Sequence, residues 1–533
     1  MNSQSFTSTR VPRGQPSRRR RGGWASLLLG GAVVCSLATA GSARAQDVAS
    51  FEGRTTVKVL PNGLTLLVVE RPEAPVLSYF THVDVGGAQE GVGQTGMAHM
   101  FEHMAFKGTD RIGTNNFAAE KGAIDKVEKA YLALDAERRK PYGRDDAKVV
   151  ELEKTWRKAM EDAEKFVVQN EFGEIVDRVG GTGLNAFTNT DETGYFYSLP
   201  SNRVELWAYL ESERMKRPVM RQFYQERDVV NEERRMRTDS NPIGRLIEQA
   251  LAAAFTAHPY GRPVVGWPAD LQTWSASDAL KFWEKYYVPA NMVVALVGDV
   301  KAPVVLPVME SYFGRLPKGE RPAPLGSDEP PQFVERTVVM KAKAQPIYAE
   351  AYHRPDYRHA DNAVYNAIAD LMSTGPTSRL YRALVRDQKI AATAVGAPTF
   401  PGSKYASLFL FYAIPTPGHS APELRMAIHR EIERLKNEPV TDDELRMVKT
   451  RAKVNLLRGL ENNQGLAIAF AKAQQRYGDW RQVFRNVQEI EKVTKDDVRR
   501  VANQVFVDSN RTAAWIESTA GKPGAAAPKR GTP

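Results

Sequence analysis

The chain has 533 residues, of which 42% are hydrophobic and 26% are charged, as in a globular protein long enough for two or three domains. Its formal charge of +10 does not predict a nucleic-acid partner, because seven of the 73 basic residues and none of the 63 acidic residues lie in residues 1–45. The remainder carries only about +3. The single cysteine, Cys35, lies in the same segment, so thiolate metal ligands and disulfides are excluded from the rest of the chain.

Residues 1–45 have the pattern of a secretory signal. Four consecutive arginines, Arg18–Arg21, precede an apolar stretch of small and aliphatic residues and an Ala-Arg-Ala site that ends at Ala45. This order predicts cleavage near Ala45. A membrane anchor is the less favoured alternative, because the apolar run is short and rich in glycine. We therefore expect an exported protein without a stable membrane anchor, periplasmic if the cell is Gram-negative and otherwise secreted.

Strands are the first elements predicted after the signal. The stretch TTVKVLPNGLTLLVVE reads as two alternating strands joined by a Pro-Asn-Gly turn, and LSYFTHVDVGG reads as a third strand. An apolar-periodic segment over residues 95–106 predicts a helix. Further along, GLNAFTNTDETGYFYSLP predicts a pair of strands, and helices are predicted over about 203–215 and 226–238.

A charged helical stretch runs from about Ile124 to Val167 and is broken by KPYGRDD. Apolar residues recur at helical spacing on both sides of the break, which predicts a helical hairpin inserted into the first domain. We expect this hairpin to pack its apolar stripe on the domain and to take no part in the metal site. A role in handling substrate is the less favoured alternative.

Two domains, 46–316 and 333–518, are predicted on either side of a linker, 317–332, which is rich in proline and charge, and 519–533 are predicted to be a disordered tail. The domains look like copies of one another. SASDALKFWEKYYVPANMVVALVGD and TKDDVRRVANQVFVDSNRTAAWIES both begin with a helix N-cap pattern and end in a strand. AHMFEHMAFKGT and YNAIADLMSTGP also align. The predicted fold class is therefore α+β, with two homologous domains that each combine an antiparallel sheet with helices.

The segment HMFEHMAFKGT contains the candidate metal ligands. His99 and His103 lie four residues apart on a predicted helix, with Glu102 next to the second histidine. Residues four apart share one face of a helix, so the two imidazoles can bind one metal ion. The H-x-x-E-H order is that of an inverted zincin. A lone histidine is usually structural, but the second copy has neither histidine, so the pair is not needed to build the helix.

A third ligand must come from elsewhere, because catalytic zinc uses three protein ligands and no cysteine is available. The predicted helix YQERDVVNEERRMR offers Glu226, Glu232 and Glu233. Glu226 and Glu233 are two turns apart and share a face, whereas Glu232 is rotated by about a third of a turn from Glu233. Periodicity does not single out Glu233, and a charge-rich helix is usually a solvated face.

HMFEHMAFKGT, GGTGLNAFTNTDETGYFYSLP and ERDVVNEE together resemble the pitrilysin/insulinase metallopeptidases, in the two-domain branch that includes mitochondrial processing peptidase. The resemblance covers about residues 55–516. It implies two homologous α+β domains that form a clamshell around a chamber. It also implies one Zn²⁺ ion per chain, with His99, His103 and Glu233 as the ligands.

The resemblance assigns roles to the neighbouring residues as well. It implies that Glu102 is the general base and that Glu226 supports a ligand. The strand around Asn185, Ala186 and Phe187 would pair with a peptide substrate along its edge. The expected function is a zinc-dependent endopeptidase that cleaves peptides or unfolded protein segments.

One departure from the family concerns the second domain. Active single-chain members carry an arginine and a tyrosine there that hold the substrate carbonyl. The matching stretch, LVRDQKIAATAVG, has Val385 and Ala392 at those places, and Arg386 is one position out of register. The resemblance therefore implies a homologous partner chain, in a heterodimer or a homodimer, that supplies the missing pair.

Two other functions compete with the peptidase. A non-catalytic scaffold or partner subunit of the same family is the main alternative, although such members have generally lost the zinc motif. An unrelated α+β binding protein with incidental histidines would not explain three motifs in the family order.

Overall fold

The computed structural model describes residues 48–519 of the chain. The predicted signal, 1–45, and residues 520–533 of the predicted tail lie outside the described residues. Within residues 48–519, no helix combines the length and the apolar character needed to cross a membrane. We refer to residues 48–316 as the first half and to residues 333–519 as the second half.

The strands of the first half form one six-stranded sheet. They are Thr55–Val59 (β1), Thr65–Glu70 (β2), Val76–Val83 (β3), Thr182–Thr188 (β4), Thr193–Pro200 (β5) and Met292–Gly298 (β6). Their order is β1-β2-β6-β3-β5-β4, and only β2 and β6 pair in parallel. The structure confirms the three strands predicted at the start of the domain and the strand pair β4–β5.

The second half repeats this sheet without the first strand. Its strands are Arg336–Ala342 (β7), Ile347–Arg354 (β8), Ala391–Phe400 (β9), Ser407–Pro415 (β10) and Arg511–Ser518 (β11). Their order is β7-β11-β8-β10-β9, and only β7 and β11 pair in parallel. This order matches β2-β6-β3-β5-β4 strand for strand, so the predicted relationship between the halves is confirmed.

Helices surround both sheets. Those of the first half are Val48–Glu52 (α1), Met97–Met104 (α2), Phe117–Arg138 (α3), Asp146–Glu164 (α4), Glu171–Arg178 (α5), Val204–Lys216 (α6), Phe223–Arg234 (α7), Pro242–Ala254 (α8), Pro268–Thr273 (α9), Ala276–Tyr286 (α10) and Ala302–Phe313 (α11). Those of the second half are Asn362–Ser373 (α12), Ala421–Asn437 (α13), Asp442–Gly459 (α14), Asn463–Tyr477 (α15), Gln482–Lys492 (α16) and Lys495–Val505 (α17). Two π-helical segments are Arg235–Asp239 and Tyr381–Asp387. The predicted hairpin is the antiparallel pair α3 and α4.

Helices α10 and α17, which precede β6 and β11, begin with the same capping box. The Asp278 N–H donates to Ser275 Oγ at 3.0 Å, and the Asp497 N–H donates to Thr494 Oγ1 at 3.1 Å. Each aspartate carboxylate accepts in return from the backbone N–H of its serine or threonine. The cap satisfies N–H groups that the first turn leaves without a partner, which explains the similarity of the two segments in sequence.

Each half contributes a helix to the sheet of the other half. Helix α15 packs on β3 and β6, where Phe470 joins a buried cluster with Phe80. Helix α8 packs in the same way on β7 and β11, with Leu246 in a cluster with Ile516. Both faces of each central strand are therefore covered, and every residue of β6 is buried.

The turn between β4 and β5 also joins the two halves. The Glu192 carboxylate is buried, lies 2.7 Å from His82 Nε2, and pairs with Lys472 and Arg476 of α15. Burial by itself raises the pKa of Glu192, but the contact with His82 and the two cationic side chains hold that pKa well below its usual range. Glu192 is therefore an ionised residue at the contact between the halves.

We predict that Phe470→Ala lowers the free energy of unfolding by about 3–5 kcal/mol, because it removes a buried ring from a packed core. Phe470 is fully buried and contacts the rings of Phe51 and Trp480. Urea denaturation measures the change. Met426→Ala is the matched control, since Met426 is 56% exposed and should change stability by less than about 0.5 kcal/mol. Equal effects of the two substitutions would contradict the packing of α15 on the first sheet.

Candidate metal centre

A buried carboxylate fixes the start of helix α2. Gly96, the residue before the helix, has a φ of 89°, a left-handed conformation that favours glycine, and it has no side chain to cap the helix. Glu90 supplies the cap from the preceding loop. Its carboxylate accepts from the backbone N–H groups of Gly96 at 2.7 Å and Ala98 at 2.8 Å. The orientation of the histidine-bearing helix therefore depends on Glu90.

Helix α7 places a carboxylate between the two imidazoles of α2. Glu233 Oε2 lies 3.6 Å from His99 Nε2 and 3.3 Å from His103 Nε2. One ligand atom from each of these residues lies within 4.8 Å of the other two. Zinc bonds of about 2.0–2.2 Å at tetrahedral angles separate ligand atoms by about 3.4 Å. The three residues therefore fit one zinc ion.

The protonation states of these residues suit a cation. Burial, aided by the nearby His103, lowers the pKa of His99 to about 4. Burial also acts to lower the pKa of His103, but contacts with Glu226 and Glu233 raise it to about 9. Burial acts to raise the pKa of Glu233, but His103, His99 and Arg237 lower it to about 2. At neutral pH, His99 is neutral and Glu233 is ionised, while His103 carries a proton that a metal ion would displace on binding.

Two carboxylate contacts orient the ligands. Glu226 Oε2 lies 3.2 Å from His103 Nδ1, and Glu226 also pairs with Lys107. A donated Nδ1–H leaves the Nε2 lone pair of His103 for a metal. Arg237 binds Oε1 of Glu233, while Oε2 faces the histidines.

Sequence reasoning identified Glu226 but missed Lys107 and Arg237. The only sequence signal was their spacing, since each lies four residues after a ligand. Arg237 continues the helical segment of Glu233, whereas Lys107 lies beyond the end of α2.

The structure also separates the three glutamates that periodicity left open. Glu226 and Glu233 face α2, whereas the side chain of Glu232 is 55% exposed and pairs with Arg235. Glu102 lies on α2 beside the ligands and is half-buried. Burial raises the pKa of Glu102, although a contact with Thr188 and the charge of His103 oppose the shift.

Strand β4 is an edge of the first sheet and lies next to α2. Asn185, Ala186 and Phe187 pair with β5 on one side only, so their other backbone edge can accept an added strand. Thr188, at the end of β4, reaches the Ala98 carbonyl of α2 at 3.5 Å. An extended chain along β4 would therefore run beside the metal centre.

The second half does not bring the expected arginine and tyrosine to this centre. Val385 is partly buried against the core of the second half, and Ala392 is an exposed residue of β9. Arg386 is exposed and binds Asp387, its neighbour in the chain, at 2.6 Å.

Comparison with known proteins finds similarity in both halves of the chain. A family model described as Insulinase (Peptidase family M16) matches residues 66–135, and one described as Peptidase M16 inactive domain matches residues 273–452. The chain is 28% identical to the zinc protease PqqE of Helicobacter pylori, over 92% of this chain and 98% of that protein. It is 23% identical to the β subunit of the mitochondrial-processing peptidase of Saccharomyces cerevisiae, over 84% and 88% of the two chains. The crystal structure of a protease from Helicobacter pylori matches with a TM-score of 0.71 and 27% identity, over 87% and 99% of the two chains.

We predict that the wild-type chain retains one zinc ion and that His103→Ala loses it. Two remaining ligands hold the metal weakly, whereas the fold should persist because α12 forms without histidines at the equivalent positions. Elemental analysis measures zinc, and circular dichroism checks the fold. His419→Ala, which removes a histidine of the second half, is the control and should retain the metal. A folded His103→Ala protein with one zinc per chain would contradict the ligand assignment.

Proposed function

Because the chain belongs to the pitrilysin/insulinase family, we propose that it is a zinc-dependent endopeptidase that cleaves peptides or unfolded protein segments. The observation that carries this proposal is the convergence of His99, His103 and Glu233 at distances that suit one zinc ion. Glu102 lies beside them in a position to move a proton. The edge strand β4 offers an extended substrate a backbone to pair with.

A zinc ion in this centre would lower the pKa of a bound water to about 7 and polarise the scissile carbonyl. A carboxylate oxygen of Glu102 accepts the proton of the attacking water and then delivers it to the leaving amine. Burial raises the pKa of Glu102, which brings the proton affinity of its carboxylate closer to that of the groups it serves. An aspartate at this position would be one methylene shorter, and a glutamine could not accept the proton.

A non-catalytic scaffold is the second candidate function. Its support is the description of the model that matches residues 273–452 as an inactive domain. That match begins after α7 and does not include the histidines of α2. The complete set of donors in the first half favours the peptidase, because a scaffold has no use for a half-buried carboxylate between two imidazoles.

We further propose that the protein is exported and works with a homologous chain. The pattern of residues 1–45 supports export, to the periplasm in a Gram-negative cell and otherwise to the medium. The similarity to one subunit of the yeast mitochondrial-processing peptidase supports a partner, as does the absence of the arginine and tyrosine from the second half.

We predict that Glu102→Gln retains zinc but lowers kcat by about 10²- to 10⁴-fold, because the amide is nearly isosteric and cannot accept a proton. Cleavage of an unfolded protein, followed by mass spectrometry, measures the loss. Glu232→Gln is the matched control, since Glu232 is exposed and paired only with Arg235, and it should cleave at the wild-type rate. Near wild-type turnover by Glu102→Gln would remove Glu102 from the mechanism.

We predict that the isolated chain is a weak peptidase and that a homologous chain with the missing arginine and tyrosine increases its activity by about 10²- to 10³-fold. The side chains of Val385 and Ala392 have no donor for a substrate carbonyl. The measurement compares kcat of the zinc-loaded chain alone and after mixing with a homologous chain from the same genome. A kcat of about 1–10³ s⁻¹ for the isolated chain would refute the need for a partner.

A further inference from the structure

The inserted hairpin begins and ends at the loop that follows the metal-binding helix. Residues 113–115 and 166–168 form its neck. The Asn115 N–H donates to the Phe166 carbonyl at 2.9 Å, and the Val168 N–H donates to the Gly113 carbonyl at 3.0 Å. An isolated bridge between Thr114 and Val167 lies between these two bonds. The neck therefore places the end of the hairpin beside the metal centre.

A pocket of about 380 Å³ lies where the hairpin ends. Glu102 and His103 of the metal centre line this pocket together with residues 167–170, which follow α4. Phe106 and Phe172 also line it, with ring centroids 6.4 Å apart. A volume within the usual range of about 300–1,000 Å³ for ligand pockets has room for a large side chain.

Hydrogen bonds hold the end of the hairpin in this position. The carboxylate of Glu164, the last residue of α4, accepts from Gln169 Nε2 at 2.6 Å and from Gln222 Nε2 at 2.7 Å. Gln222 Oε1 accepts in turn from Lys107 Nζ at 3.3 Å, and Lys107 pairs with Glu226. The wall made by the hairpin is thus connected to the carboxylate that orients His103.

The charged groups that line the pocket, apart from Glu102, already have partners. Lys107 pairs with Glu226, and Arg221 forms a fully buried ion pair with Glu120. The Glu171 carboxylate accepts from the backbone N–H of Gly113. Apolar side chains and neutral amides remain for a ligand, so the pocket suits a large uncharged side chain and disfavours a charged one.

The second half provides an internal comparison. Its equivalent helix, α12, has Asn366 and Asp370 at the histidine positions and is followed by no helical hairpin before β9. Among the described residues, the hairpin and the metal-binding donors thus occur in the same half. This association argues for a role of the hairpin at the metal centre, because a hairpin needed only for stability could occur equally well in the half without the donors.

We propose that the inserted hairpin is a specificity element, and that residues 164–170 select the substrate side chain that enters the pocket beside Glu102. The preferred residue next to the scissile bond is large and apolar, such as leucine, methionine or phenylalanine. This role rests on the proposed peptidase function. It adds a role to the expected packing of the hairpin on the first domain, where Val127, Tyr131 and Trp156 join the core, and all three metal ligands remain outside the hairpin.

The test uses the full mature chain with its partner, and peptides that differ only at the two residues flanking the scissile bond. Val168→Glu places a carboxylate in the pocket wall. We expect this variant to lower kcat/KM for the peptide with leucine next to the scissile bond (the leucine peptide) by at least about 10-fold relative to wild type. Its kcat/KM for the peptide with lysine at the same place (the lysine peptide) should rise relative to that for the leucine peptide. Val150→Glu is the matched control, because Val150 lies on the same hairpin and is 55% exposed. It should leave the preference unchanged, and both variants should retain zinc.

A second readout separates this proposal from the peptidase function. In the Glu102→Gln background, fluorescence anisotropy measures the dissociation constants of the same peptides without cleavage. Val168→Glu should again weaken binding of the leucine peptide more than binding of the lysine peptide. Absence of cleavage by wild type would refute the peptidase, whereas equal preferences for Val168→Glu and Val150→Glu in both assays would refute only the role of the hairpin. If Val168→Glu does not fold, Gln169→Lys takes its place and should shift the preference towards glutamate.

Discussion

The contact between α2 and α7 is the interaction on which the candidate site depends. Helix α2 has only eight residues, and a helix of that length is not stable by itself in water. Its position must therefore come from tertiary contacts. Glu90 holds its first turn, the sheet buries its apolar face, and Arg221 binds the carbonyls of Lys107 and Ile112 in the loop behind it. Each of these contacts sets the distance between the imidazoles and Glu233.

The second half shows what the same framework does without a metal. Asp370 occupies the position equivalent to His103, and Arg451 of α14 binds it at 2.6 Å. In both halves, ionisable side chains join the two helices at this contact. In the second half the charges of Asp370 and Arg451 neutralise one another. In the first half, two imidazoles face one carboxylate and leave capacity for a cation. At this helix contact, the halves differ in the charge of the side chains and not in the fold.

Local signals allowed much of the fold to be predicted from the sequence. The Pro-Asn-Gly turn predicts the β1–β2 hairpin, and the capping residues of α10 and α17 predict where those helices begin. The exchange of α8 and α15 between the halves has no such signal, because it depends on contacts between distant segments. The candidate site is likewise predicted only in part from local sequence signals. Helical spacing pairs His99 with His103, but only packing shows that Glu232 faces away and that Glu90 and Arg237 contribute. The end of the hairpin lies beside Glu102 because of the neck, which no periodicity reveals.

The exchange of helices has a consequence for how the chain is made. Strands β3 and β6 leave the ribosome long before α15, so the first sheet has one apolar face uncovered until most of the chain has been synthesised. Neither half can complete its core as an independent unit. A fragment cut at residues 317–332 would expose the surface that normally contacts Phe470, and would be prone to aggregation. The linker is therefore a boundary in sequence but not a boundary in folding.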